Sequence, residues 1–381
     1  MEDSSRTFEI IYSAVNSAEN SLPVSRMCEI AGVSRSGYYA WIKAAPVREK
    51  QELQDRKDFE LILVNDCSKD NSKEICEKYA QKDQRIVVVN LEKNGGAGNA
   101  RNIGIQHATG KYITFMDSDD IIDKELYENA YFEVVKYDLD MVVWGMTEEY
   151  YNAEGKCYCV NKVGLDNHLC MNQTEVEDIV IELENKTLFG YQCNRFYRSS
   201  ILKQNNIQFE RVILYEDYFF NLKIVPYIKK MGVISDCGYH YMKRQNQSIT
   251  ASYVPEYFEL SERRIKSMYQ LYEQWGRLDS KVIDILGSRY LRYILAAIVK
   301  SYDSYADTNH RKRINMLKKI ANGDLYQATS KKCCASGVPL KVIQKGINSK
   351  CHILCLAVGR CVWIVREKLP STFNKIRRFK G

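Results

Sequence analysis

A chain of 381 residues leads to an expectation of two to three domains, and 27% charged with 45% hydrophobic side chains is ordinary globular composition rather than a disordered or collagen-like one. Thirteen scattered cysteines, an odd number with no CxxC pair, argue against a disulfide framework or a zinc ribbon and for a reducing compartment. The formal charge of +7 is uneven: residues 341–381 hold six Lys, four Arg and one Glu, a net of +9, so the preceding 340 residues sum to −2.

The start, MEDSSRTFEI, has no basic region followed by an apolar core, so no signal peptide is expected. Residues 8–44 read as short helices. In PVSRMCEIAGVSRSGYYAWIKA (23–44), Gly32 suits a turn, Ser34 an N-cap, and Ser36–Trp41 a second helix. FELILV (59–64) is a short apolar strand run. NSKEICEKYAQK (71–82) follows as a helix, with Ile75 and Tyr79 one turn apart, and RIVVVN (85–90) is a second strand. The Gly-rich NGGAGN (94–99) leads into a helix ending near His107. KYITFM (111–116) is a third strand with DSDD (117–120) at its end, then come a helix to about Tyr137 and the strand DMVVWG (140–145). Strands alternating with helices at this spacing predict an α/β fold, a parallel sheet with helices on its faces. Ligands of such sheets bind beyond the carboxyl ends of the strands. Residues 255–381 read as largely helical.

Several candidate site residues follow strand ends. Asp117 and Asp119 project to one side of an extended segment, a geometry that suits Mg²⁺ or Mn²⁺ held by one or two carboxylates plus substrate phosphates. The competing reading is helix N-capping, which Asp120 or Asp123 would satisfy. Asp66, ending its strand in VNDCSKDNS (64–72), can accept hydrogen bonds from a base or ribose; its alternative is a turn. NGGAGNARN (94–102) can cradle a phosphate at a helix N-terminus, with Arg101 meeting a phosphate or bracing the loop. In ILYEDYFFNLKIV (213–225), Leu214, Tyr218, Leu222 and Val225 form an apolar stripe. Glu216 and Asp217 lie near its start, either as a dipole-stabilised carboxylate pair or as a general base facing the crevice.

The ordered segments FELILVNDCSKDNS, LEKNGGAGNARNIGIQHATGKYITFMDSDDII and CNRFYRSSILKQNNIQFERVILYEDYFFNLKIV, closed by YHYMKRQNQSIT (239–250), resemble a family 2 glycosyltransferase of GT-A fold over residues 58–250. The resemblance implies inverting sugar transfer from a nucleotide-diphosphate donor, UDP-linked by expectation, to a glycan or lipid-linked acceptor in surface polysaccharide synthesis. It implies base binding by Asp66, a donor role for Asp117 and Arg101, a Mn²⁺ or Mg²⁺ ligand at Asp119, and catalytic base chemistry at Asp217. Cys67 stands where the family usually has Gly. The family's first strand, central in its sheet, has no convincing copy here. FEIIYSAVN (8–16) is a faint look-alike at twice the usual distance. Instead, residues 6–57 resemble the helix-turn-helix head of insertion-sequence transposases, which makes the expected chain a fusion: head 1–57, N-terminally truncated transferase 58–250, helical region 251–381. The first 57 residues carry eight basic and eight acidic side chains, poor footing for neutralising phosphates, so DNA binding by the head is not expected.

CHILCLAVGRCVWIV (351–365) is apolar apart from His352 and Arg360. It is too short to span a bilayer, and an interfacial helix fits better. With Trp363 and KIRRFK (375–380) it suits an anionic membrane surface; the competing reading is a helix packed on the body. The expected location is cytoplasmic, at the inner face of the cell membrane.

Overall fold

The structure is a computed structural model that describes residues 7, 10–12, 14–15, 22–43, 59–152, 154–244, 254, 256–306 and 308–368. The chain divides into two compact units, residues 1–60 and 61–381.

In the first unit, α1 (Val24–Ile30) and a helix over 35–43 (α2) flank a short turn. Gly32 has φ +67°, which favours glycine, and the Gly37 N–H donates to Ser34 Oγ at 3.0 Å, capping α2. Ile11, Met27, Cys28 and Tyr38 form its buried centre. The described part of FEIIYSAVN, residues 10–12, 14 and 15, is helical, so that look-alike is no strand there.

The second unit opens with β1 (Leu61–Asn65), α3 (Ser72–Ala80), β2 (Ile86–Asn90) and α4 (Ala97–His107). Next come β3 (Tyr112–Ile113), β4 (Ile121–Ile122), α5 (Leu126–Lys136) and β5 (Met141–Tyr151). The hairpin partner β6 (Cys157–Val163), β7 (His168–Cys170), α6 (Gln173–Asn185), β8 (Arg195–Arg198), α7 (Ser199–Gln204), α8 (Glu216–Ile224) and β9 (Met231–Arg244) complete the sheet region. Among the described residues six helices follow: α9 (Tyr257–Gln274), α10 (Ser280–Lys300), α11 (His310–Asn322), α12 (Asp324–Ala328), α13 (Val338–Asn348) and α14 (His352–Lys368).

The expected parallel sheet is corrected in two respects. First, the main seven-stranded sheet, of order β3-β8-β5-β9-β4 with β6 and β7 at its side, is mixed. The short RFYR strand β8 inserts antiparallel between β3 and β5, and only β5 and β9 pair in parallel. Four residues of RFYR carry too little periodicity to be read from sequence. Second, β1 and β2 pair in parallel register, Leu61 with Ile86 through Asn65 with Asn90, but form a separate two-stranded sheet. This is the place where the resemblance anticipates a central strand. The consequence is visible in packing: Leu61, Val87, Ile75 and Tyr79 are exposed, and α3 buries none of its residues. The apolar stripe expected of α3 exists, but it has little to cover.

The rest is tightly built. Trp144, Tyr197, Phe220, Tyr239, Tyr290 and Leu291 belong to one core that runs from the main sheet into the C-terminal helices. Gly145 ends DMVVWG where a β-bulge in β9 passes; a Cβ there would meet Cys237 Sγ at 2.5 Å. In α14, His352, Cys355, Leu356 and Gly359 face inward, and Trp363 Nε1 donates to Asp303 at 3.0 Å, which turns that indole toward the body.

Candidate active site

Arg101 brings three of the predicted carboxylates together: Asp117, Glu216 and Asp217. The guanidinium, on α4 and 13% exposed, reaches Asp117 Oδ1 at 2.7 Å, Asp217 Oδ1 at 2.9 Å and Glu216 Oε1 at 3.6 Å. It lies over the Phe209 ring at 5.5 Å. Asp117 follows β3, and Asp217 sits in the first turn of α8, a hundred residues further along. Charge-assisted bonds of this kind are short and strong, so one cation fixes the spacing of the two carboxylates. Gln192 also donates to Asp117, at 3.3 Å.

Two residues that sequence reasoning missed aim this cluster. Asn102 exchanges both of its amide bonds with the Phe209 backbone, at 3.0 and 2.8 Å, tying α4 to the segment ahead of α8. Tyr215 adopts φ +66°, a left-handed conformation costly to a bulky residue, immediately before Glu216, and its hydroxyl meets Ser261 Oγ at 3.0 Å. The repeated Asn of GNARN was the available signal for the first. Nothing local signals the second.

Burial pushes the Asp217 carboxyl up; Arg101 draws it down, while Glu216 and Asp117 add to the upward push. Burial works against the charge on Arg101, but its three carboxylate neighbours outweigh that and hold its guanidinium firmly protonated.

In the structure Asp66 bonds the backbone of the Gly-rich loop. Its carboxylate accepts the Gly95 N–H at 2.8 Å and the Gly96 N–H at 2.7 Å, and Asn94 Nδ2 donates to its carbonyl at 3.0 Å. It thus cinches the Gly-rich loop to the end of β1. The two glycine N–H groups expected to cradle a phosphate are engaged by Asp66. Gly96 has φ +83°, which favours glycine, and a Cβ on Gly95 would press on the Asn99 side chain. Cys67, next in chain, has φ +59°, which accounts for glycine being the expected residue at that position.

Asp119 is the open member of DSDD, 61% exposed, with Arg244 at 3.4 Å. Asp120 and Asp123 are not helix caps: α5 has Glu125 at its N-cap position. Asp120 accepts the Tyr239 hydroxyl at 2.7 Å and the Met242 N–H at 3.0 Å, locking the DSDD turn onto β9, and Asp123 lies 3.3 Å from His240. Burial pushes Asp120 up to about 6. In the unfolded chain it ionises near pH 4, so the folded state holds the proton longer and loses stability as pH rises from about 4 to about 6. Asp120→Asn should flatten this stretch of the stability profile. Urea midpoints at pH 4.5 and 6.5 that shift identically in both proteins would assign the proton elsewhere.

Among the described residues no three metal-ligating side chains converge. A cation bound largely by a diphosphate needs only one or two carboxylates, and the hard oxygens of Asp119 and Asp117 suit it.

The fold is GT-A-like α/β: the crystal structure of S. aureus TarS 1-349 in complex with UDP-GlcNAc matches with TM-score 0.53 at 20% identity, over 81% of this chain and 85% of that one. Residues 47–206 match the family model described as Glycosyl transferase family 2, and this stretch is a glycosyltransferase domain of that family. The match begins ahead of β1, in residues outside those described. Relatives include the minor teichoic acid biosynthesis protein GgaB of Bacillus subtilis, 33% identical over 195 residues. Another is the poly(ribitol-phosphate) beta-N-acetylglucosaminyltransferase TarS of Staphylococcus aureus, 31% identical over 207 residues. These alignments cover 50% and 53% of this chain but only 20% and 34% of those proteins, so the chain spans a fifth to a third of their length.

Proposed function

We propose that this chain transfers a sugar, with inversion, from a nucleotide-diphosphate donor to a hydroxyl of a surface glycan or its lipid-linked precursor. The observation that carries the reading is the Arg101 bridge from Asp117, within the family 2 glycosyltransferase match over residues 47–206, to Asp217, which lies beyond the end of that match. Asp217 takes the proton of the acceptor hydroxyl. The acceptor oxygen forms a bond to the anomeric carbon from the face opposite the leaving group, and the bond from that carbon to the diphosphate oxygen breaks. Asp117 and Arg101 position the donor beside that base. A divalent cation held by Asp119 would supply charge neutralisation to the departing diphosphate. Asp66 serves the donor indirectly, by shaping the loop over the crevice.

UDP is the expected carrier, since one structural neighbour is described in complex with UDP-GlcNAc and related proteins are named for teichoic acid and poly(ribitol-phosphate) chemistry. An acceptor carried on lipid would place the reaction at the inner face of a membrane. Calorimetric titration of UDP, with and without Mn²⁺, tests the donor site. Binding that requires Mn²⁺ and is lost in Asp119→Ala is the expected result.

The separate β1–β2 sheet favours a second reading, a folded chain with relic motifs and no donor affinity. The same titration decides it: a folded sample that binds no UDP belongs to the second reading. The transposase-like head enters neither reading as a DNA reader, and a salt-dependent gel shift would overturn that.

A further inference from the structure

We propose that α14 is a membrane-docking helix that lies flat on an anionic bilayer, with its inner face already spent on the protein core. The helix packs through His352, Cys355, Leu356 and Gly359, and Gly359 is a close approach: a Cβ there would collide with Ile298 of α10. That contact fixes which face points outward. The outward arc is Ile353, Leu354, Ala357, Arg360, Cys361, Ile364 and Lys368, all exposed and within about 120° of one another at 100° per residue. Ile353 is 68% exposed and Leu354 40%. Apolar side chains this open, held in one row on a rigid helix, are an unfinished surface.

The occupant is a lipid surface because of the charges around that row. Arg360 and Lys368 are the charged members of the arc and can extend past the apolar row to headgroups. Glu367, the acid beside it, is 2.9 Å from Arg366. Residues 341–381 carry a net +9, four of the cations in KIRRFK, shortly after the helix in sequence. A second copy of the chain would bring the same positive charge against itself, whereas an anionic bilayer complements it. No described helix is long and apolar enough to cross a membrane, and α14, 17 residues long, suits the interface instead. The inference stands on surface chemistry alone and does not depend on sugar transfer.

The test is co-sedimentation of the full chain with vesicles of phosphatidylcholine alone or mixed with phosphatidylglycerol. Binding to the anionic vesicles only, weakened at least tenfold by 0.5 M salt, is expected. Ile353→Glu combined with Ala357→Glu places two carboxylates one turn apart in the N-terminal half of the outward row. It should lower the partition coefficient at least tenfold with an unchanged thermal melt, because both positions are exposed. Replacing Lys375, Arg377, Arg378 and Lys380 by Ser should do the same. The proposal fails if the parent ignores anionic vesicles, or if the double-Glu variant binds like the parent. It also fails if sedimentation equilibrium shows a parent dimer that the double-Glu variant dissolves, since a second copy then covers the face.

Discussion

Asp217→Asn should lower the transfer rate by about 10³-fold while leaving the donor's binding constant within a few-fold, since a positioned general base contributes about 10²–10⁴. Asparagine keeps the shape and one acceptor oxygen but cannot take the proton. The pH profile makes the assignment specific. Asp217 must be ionised to act, and burial raises its carboxyl, so the rate should climb with pH well above the ordinary carboxylate range. Arg101 draws that value down across 2.9 Å. Arg101→Gln should therefore move the acid limb to still higher pH, besides weakening the donor's hold. A profile whose acid limb is unmoved by Arg101→Gln would remove Asp217 from the role of base.

Glu184→Ala should destabilise the fold more than any other substitution named above. Its fully buried carboxylate receives Arg264 Nη2 at 3.1 and 3.0 Å and Arg289 Nε at 2.9 Å, joining α6 to α9 and α10. Removing the carboxylate strands two buried guanidinium groups. Breaking such a pair costs about 3–5 kcal/mol, against a total stability of about 5–15. A fall in the thermal midpoint on the order of 10 °C is expected. Arg264 also lies 4.0 Å from the Tyr218 ring centroid, and Tyr218 is the neighbour of Asp217. The loss should therefore reach the site, with UDP affinity falling in step with stability. A midpoint within 2 °C of the parent would show that the Glu184 cluster is not what holds α9 and α10 to α6.

These two sites differ in how far they could be read in advance. Asp117, Asp119 and Asp217 were marked by short motifs after apolar runs, because strand ends and helix starts leave a local periodicity. Arg101 stood between two readings, and only the folded chain shows it bridging residues 16 and 116 positions away. Asp66 was legible as a strand-end carboxylate. Its partner was not, because the choice between a ligand and the loop N–H groups is made by the distance between the ends of β1 and α4. Glu184 gave no signal at all: an acid on the amphipathic helix EVEDIVIELEN reads as a solvated face until two helices from a hundred residues away cover it.

By itself the sequence determined the α/β alternation, the order of the motifs, the helical C-terminal region and the positive charge gathered at its end, since each depends on near neighbours in the chain. Tertiary structure decided the rest. It inserted β8 between β3 and β5 because strand order depends on which edges meet. It left β1 and β2 as a sheet of their own because backbone edges pair only where another strand is within reach. It also turned α14 so that one apolar face is spent on α10 and the other is exposed, a choice made by Gly359 against Ile298, which periodicity alone cannot make in a helix apolar on both sides.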